Sequence, residues 1–201
     1  MSMPKFFNLL SLSVFFLFFS GKPLPLQPKV VHVVIPVLNA KPVETAEYIP
    51  WLDERLLSWD DFQCAPKKNT DAVASTSTSL GIAYQVRNGT LTYAVTCNFS
   101  KTKSWGWVKT DYILAHEQAH FDITEIYARK LHQAMQEYQY NRRAYKEDLN
   151  NIYNKIVWEK EAFQNAYDHG TDHSRKKRLQ LEWLEKIEEL LEETQPYADY
   201  P

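Results

Sequence analysis

The chain has 201 residues, 44% of them hydrophobic and 24% charged, enough to bury one core and outside the range of low-complexity or disordered chains. Its formal net charge of −2 leaves no broad basic surface, which argues against nucleic acid as a partner.

The N-terminus reads as a targeting segment. Lys5 precedes an apolar run from Phe6 to Phe19, and a polar, proline-broken stretch follows. This is the order of a secretory signal, so residues 1–21 are assigned to one and placed outside the fold. The run is shorter than the roughly 20 apolar residues that span a membrane. Ser20 and Gly21 suit cleavage, but Phe18 does not suit an A-x-A-like site, so retention as an uncleaved anchor is the other reading. Membrane contact is expected only through this segment. The protein is expected to be exported: periplasmic, secreted or associated with the cell envelope. Nothing in the sequence indicates an oligomeric state.

Residues 22–49 form an N-terminal extension containing the β-rich run "VVHVVIPVL". Residues 50–193 are expected to form the main domain, with 194–201 as a tail. "WLDERLLSWDDFQ" reads equally as a strand or a helical turn. Its adjacent Asp60 and Asp61 would face opposite ways on a strand, so a turn cap or a calcium ligand suits them better than an acid–base pair. Pro66 to Thr78 reads as a loop. "LGIAYQVRNGTLTYAVTCNF" reads as two strands joined by Asn88-Gly89, a strong hairpin signal. "STSTSL", leading into Leu80–Val86, is the candidate edge for an extended peptide. Asn88-Gly89-Thr90 and Asn98-Phe99-Ser100 match the glycosylation acceptor pattern, which matters only on a eukaryotic secretory route. Cys64 and Cys97 are the only cysteines. Export permits a disulfide between them, and two separate thiols are the alternative.

From Asp111 the composition turns helical, with no glycine before Gly170 and no proline before Pro196. Three helices are expected near 111–140, 143–167 and 175–193. "DHGTDHS" separates the last two, with Gly170 as a helix-end residue and Asp172 or Ser174 as the next N-cap. Leu181, Leu184, Ile187, Leu190 and Leu191 fall on one face of the third helix. The fold class is therefore α+β: a small antiparallel sheet followed by a helical half.

"AHEQAHFDITEIYARKL" places His116 and His120 four residues apart, on one face of the first helix. Neutral imidazole is a good zinc ligand. Glu117 lies beside the pair, where His-Glu-x-x-His enzymes keep a general base. Two histidines on a buried helix without a metal would each need other hydrogen-bond partners. The motif therefore favours one zinc ion on His116 and His120 with Glu117 as base, a zincin-like arrangement. A catalytic zinc usually has a third protein ligand. Metzincins supply it as a further histidine after a glycine, and this helix has neither in that position. Glu125 points about 140° away from His120, and Asp122 also leaves the metal face; Asp122 suits an imidazole N–H better. The remaining supply is Asp168, His169, Asp172 and His173 at the second helix break, where spacing alone does not separate ligand from cap. Tyr167 and Tyr127 are the candidate donors to an oxyanion, although core packing is the commoner use of a tyrosine.

Four stretches together, "LLSWDDFQ", "AVASTSTSLGIAY", "LAHEQAHFDITEIYARKL" and "YDHGTDHSRKKRLQLEWLEKI", resemble a bacterial family known as domain of unknown function nine hundred and twenty-two. The resemblance runs over roughly residues 50–190. It implies a secreted zinc-dependent protease acting on a peptide or protein. Tyr167, Asp168, Thr171 and His173 match the family's closing pattern, in which a glycine stands where this chain has Ser174. By that resemblance His173 ranks ahead of Asp168 and His169 as third zinc ligand, with Asp168 as its support or alternative. A catalytically silent metal-binding module of the envelope is the rival reading.

Overall fold

The computed structural model describes residues 8–13, 43–52, 55–68 and 70–201, the first of these stretches by its backbone alone. "VVHVVIPVL" and most of the leader lie outside the described residues. The fold is α+β, a small sheet system followed by three helices.

The hairpin lies where the sequence places it. β4 (Thr78–Arg87) and β5 (Thr90–Ser100) pair antiparallel through the full length of both arms. The turn between them has Asn88 at φ 50° and Gly89 at φ 80°, the two left-handed residues a tight two-residue hairpin needs. β2 (Tyr48–Pro50) extends the sheet beyond β5. On the other side, the backbone of β1 (Asn8–Ser13) pairs with β4 from Ser79 to Tyr84. Part of the segment read as a leader thus occupies the very edge proposed for a peptide, since an unpaired strand edge accepts any extended backbone. β3 (Ala74–Ser75) and β6 (Trp105–Gly106) form a separate small ladder ahead of the first helix.

α1 (Asp111–Glu137) begins at Thr110, whose Oγ1 accepts from the Ile113 amide at 3.2 Å. It buries Ala119, Phe121, Ile123, Ile126 and Leu131 in one core with Leu80, Ile82, Val95 and Phe99 of the sheet. The rings of Phe62, Phe99 and Phe121 form a continuous aromatic row across that interface. α2 (Tyr145–Thr171) runs antiparallel to α1, because Tyr138 meets Asp148 at one end and His116 meets Asp168 at the other. Tyr153 of α2 anchors it to the sheet by donating to the Leu80 carbonyl at 2.8 Å. α3 (Lys177–Glu193) covers both helices, with Ile187 buried in the core. Among the described residues, no helix is long and apolar enough to cross a membrane.

Several local expectations change. α2 continues through Gly170, which therefore does not end the helix. A Cβ at Gly170 would enter the indole of Trp183 on α3, so this glycine permits close helix packing. Asp172 is the left-handed C-cap of α2, and the residue before α3 is Lys176, without a side-chain cap; neither Asp172 nor Ser174 caps α3. Leu181 is 60% exposed, because it falls at the open start of α3, and leaves the packing face to Leu184, Ile187, Leu190 and Leu191. Cys64 and Cys97 are both free: Cys97 is buried in β5, while Cys64 is half-buried in a loop held to the Ser104 carbonyl. The undecided "WDD" segment is a short 3-10 turn that starts at Ser58, and Asp61 completes its capping box, accepting from the Ser58 amide at 2.7 Å and from Arg55 at 2.7 Å. Residues 194–201 pack back on the domain, with the Tyr200 hydroxyl donating to Glu125 at 2.7 Å.

Candidate metal centre

α1 and α2 position the site. His116 and His120 lie one turn apart on α1 with their rings edge-to-face, and Asp168 projects from the last turn of α2. Asp168 Oδ1 lies 3.2 Å from His116 Nε2 and 3.0 Å from His120 Nε2. One ligand atom from each of the three residues falls within 4.8 Å of the others. Ligands of a tetrahedral zinc, each at 2.0–2.1 Å, stand about 3.3 Å apart, so the donor set and its spacing fit that ion. His173 also faces the cluster, with Nδ1 3.7 Å from Asp168 Oδ1 and its side chain 36% exposed. The ranking of His173 ahead of Asp168 is thus not the order of proximity: Asp168 touches both histidines, and His173 stands at the outer side. His169 is exposed, its ring 6.5 Å from that of His173.

The loop carrying His173 is unusual. Asp172, His173 and Ser174 are all left-handed, at φ 51°, 51° and 68°. Left-handed backbone disfavours residues with a Cβ, and a run of three is held only when its surroundings impose it. Here the Tyr112 hydroxyl donates to the Ser174 carbonyl at 2.5 Å, and the His173 amide to the Asp168 carbonyl at 2.9 Å.

Glu117 is 4% exposed, and its Oε2 is buried without a hydrogen-bond partner among the described residues. Its carbonyl accepts from Thr76 at 3.2 Å, which ties the motif to the segment after β3. A buried carboxylate oxygen with no partner carries the full cost of desolvation, which is explained if a proton or a nucleophile meets it there.

The electrostatics follow from contact. Burial opposes ionisation of Asp168, but the charge of His120 and hydrogen bonds from both histidines outweigh it and hold the carboxyl well below the usual range. Burial likewise opposes charging His120, yet Asp168, with help from Glu117 and Gln164, pushes its pKa up to about 9. Burial first, then Glu117 and Asp168, drive Tyr167 far above an ordinary phenol. Tyr167 is fully buried, stacked on His116 at 4.6 Å and edge-on to His120 at 5.2 Å, so its ring backs both imidazoles. Tyr127 instead packs on Phe163 and under Lys130.

Asp122 is not the imidazole partner expected. It accepts from the Trp51 indole and from Gln118, each at 2.8 Å, because its side chain turns toward the β2 end of the sheet. Burial pushes Asp122 up to about 6, against those two bonds. Glu125 pairs with Arg129 at 2.8 Å, and Arg129 holds the Leu191 carbonyl of α3 at 2.7 Å. The residue that does meet an imidazole N–H is Gln164, whose Oε1 is in contact with His120 Nδ1. Its place one turn before Asp168, matching the His116–His120 spacing across the helix pair, was the available signal.

The match to known proteins spans the site. The chain belongs to the family of bacterial proteins of unknown function, DUF922, which matches residues 57–174. The DUF922 region begins at Leu57, just before the 3-10 turn, and ends at Ser174, the last left-handed residue of the site loop. It includes His116, Glu117, His120, Gln164, Asp168 and His173, and stops short of α3. No curated protein and no solved structure matches the chain.

Proposed function

We propose that this DUF922 chain is an exported zinc-dependent hydrolase whose substrate is a peptide or protein. One observation carries the reading: two imidazole nitrogens and a carboxylate oxygen converge beside a buried glutamate oxygen that has no partner. His116, His120 and Asp168 would hold the ion and leave its fourth position open to water. Zinc there would supply an acidified water and a Lewis acid for a carbonyl oxygen. Glu117 takes the proton of the nucleophile and returns it to the leaving amine. Gln164 and the Tyr167 ring keep the imidazoles oriented. Tyr167 is fully buried and Tyr127 packs on Phe163 rather than on the histidines, so His173, half-exposed at the mouth, is the better-placed group to meet a substrate carbonyl.

The test is metal analysis and peptidase assay of the wild type beside three variants. Glu117→Gln should keep zinc and fold while hydrolysis falls by about 10²–10⁴, the usual worth of a general base. Asp168→Ala should lower zinc affinity more than His173→Ala. Wild type that binds no zinc would sink the proposal. Wild type that binds zinc but cleaves no peptide would indicate a binding module instead.

A further inference from the structure

Gln164 stands one turn before Asp168 on α2 and is 3% exposed. Its Nε2 donates to the His120 carbonyl at 2.8 Å and to Thr124 Oγ1 at 3.3 Å. The Thr124 hydroxyl uses its own proton on the His120 carbonyl at 3.1 Å, so it accepts from Gln164 and from Thr78 Oγ1, the latter at 2.7 Å. Both Nε2 hydrogens therefore have acceptors, and the amide can point only its oxygen at His120 Nδ1. A carbonyl oxygen cannot donate, so Nδ1 must carry a proton. In a neutral imidazole that leaves a bare lone pair on Nε2, the atom 3.0 Å from Asp168 Oδ1. Two lone pairs at that distance need a cation between or beside them, which is a second proton on Nε2 in the metal-free protein and a metal ion in the loaded one.

We propose that Gln164, seated by Thr124 and Thr78, is a positioning residue that locks His120 in the Nδ1–H tautomer and so presents Nε2 to a divalent cation. The inference rests on the zinc reading of the same site and adds the group that enforces it. The lock reaches from α2 through α1 to the first residue of β4, so the sheet itself helps set the ligand's orientation. His116 has no equivalent, since its Nδ1 is buried without a hydrogen-bond partner among the described residues. Partners of this kind typically change metal affinity 10- to 100-fold.

The experiment measures zinc affinity by chelator competition for wild type, Gln164→Met and Gln164→Glu, together with long-range ¹H–¹⁵N spectra of the zinc-loaded proteins. Gln164→Met, of similar shape but without the acceptor, should weaken zinc roughly 10- to 100-fold. Gln164→Glu keeps the acceptor for Nδ1–H but loses the Nε2 donors, so it should bind zinc more weakly than wild type and more tightly than Gln164→Met. Wild-type spectra should show zinc on His120 Nε2 and a proton on Nδ1. Zinc on Nδ1, wild-type affinity in Gln164→Met, or equal loss in both variants would overturn the proposal, the last by leaving only packing. Should Gln164→Met fail to fold, the wild-type spectrum and Gln164→Glu decide. Wild type that takes up no zinc refutes the hydrolase reading instead. The metal-free spectrum, at a pH where the imidazole is neutral, then decides this proposal: Nδ1–H supports it and Nε2–H overturns it.

Discussion

Zinc uptake should expel a proton from His120, and pH is the perturbation that reads it. In the metal-free protein the buried imidazole beside Asp168 has a pKa pushed up to about 9. At pH 7 it is therefore roughly 99% protonated, while a zinc ligand must be neutral. Asp168 is held ionised throughout and releases nothing. Each zinc should thus displace about one proton from His120 at pH 7, besides that lost by the acidified water, and apparent affinity should rise at least about tenfold per pH unit until about pH 9. Titration calorimetry in buffers of different ionisation enthalpy counts the proton, and chelator competition across pH gives the slope. The same group affects stability without metal. Its folded value lies above its ordinary 6.5, so its contribution is fully present below 6.5 and is lost as pH rises through about 9. The gap corresponds to about 3 kcal/mol, and the Tm of the metal-free protein should fall across that window and be restored by zinc. Affinity that is flat between pH 7 and 9, with no proton released, would refute the assigned geometry of His120 and Asp168.

Ser174→Gly should stabilise the protein by about 0.5–1 kcal/mol, since glycine adopts φ 68° without the Cβ penalty and the Tyr112 and Thr171 bonds involve only Ser174 backbone. Thermal unfolding checks this, and a lower Tm would contradict it. Gly170→Ala should destabilise by about 1–3 kcal/mol, because the added methyl group must push Trp183 off α2; denaturant titration measures it, and a neutral result would mean that α3 shifts freely. Without denaturant, a thiol reagent should label half-buried Cys64 and spare Cys97, and both should react once unfolded; reductant should leave Tm unchanged. Rapid labelling of both thiols in the folded protein would contradict the burial of Cys97 in β5.

Local signals carried the elements whose causes are local. Asn88-Gly89 announces its hairpin because both residues tolerate left-handed backbone. The composition from Asp111 onward announces α1, and the four-residue spacing of His116 and His120 puts both imidazoles on one face whatever surrounds them. Local signals fail where neighbours in space decide. Gly170 looked like a helix end, but Trp183 on another helix is what requires it. Asp122 looked like an imidazole's partner until Trp51, 71 residues away, engaged it. The cysteines are too few to indicate their pairing, and only the packing of β5 keeps Cys97 apart as a free thiol.

The sequence by itself therefore determined a helix with His116 and His120 on one face and Glu117 beside them, because a helical repeat converts spacing into geometry. It also offered "DHGTDHS" as a supply of further groups, without separating ligand from cap. Only the tertiary structure decided that Asp168 meets both histidines, that His173 stands outside it, and that Gln164 meets His120. Those facts depend on the register of α1 against α2, which is set by the side chains buried between them and the sheet, and no spacing within either helix encodes that register.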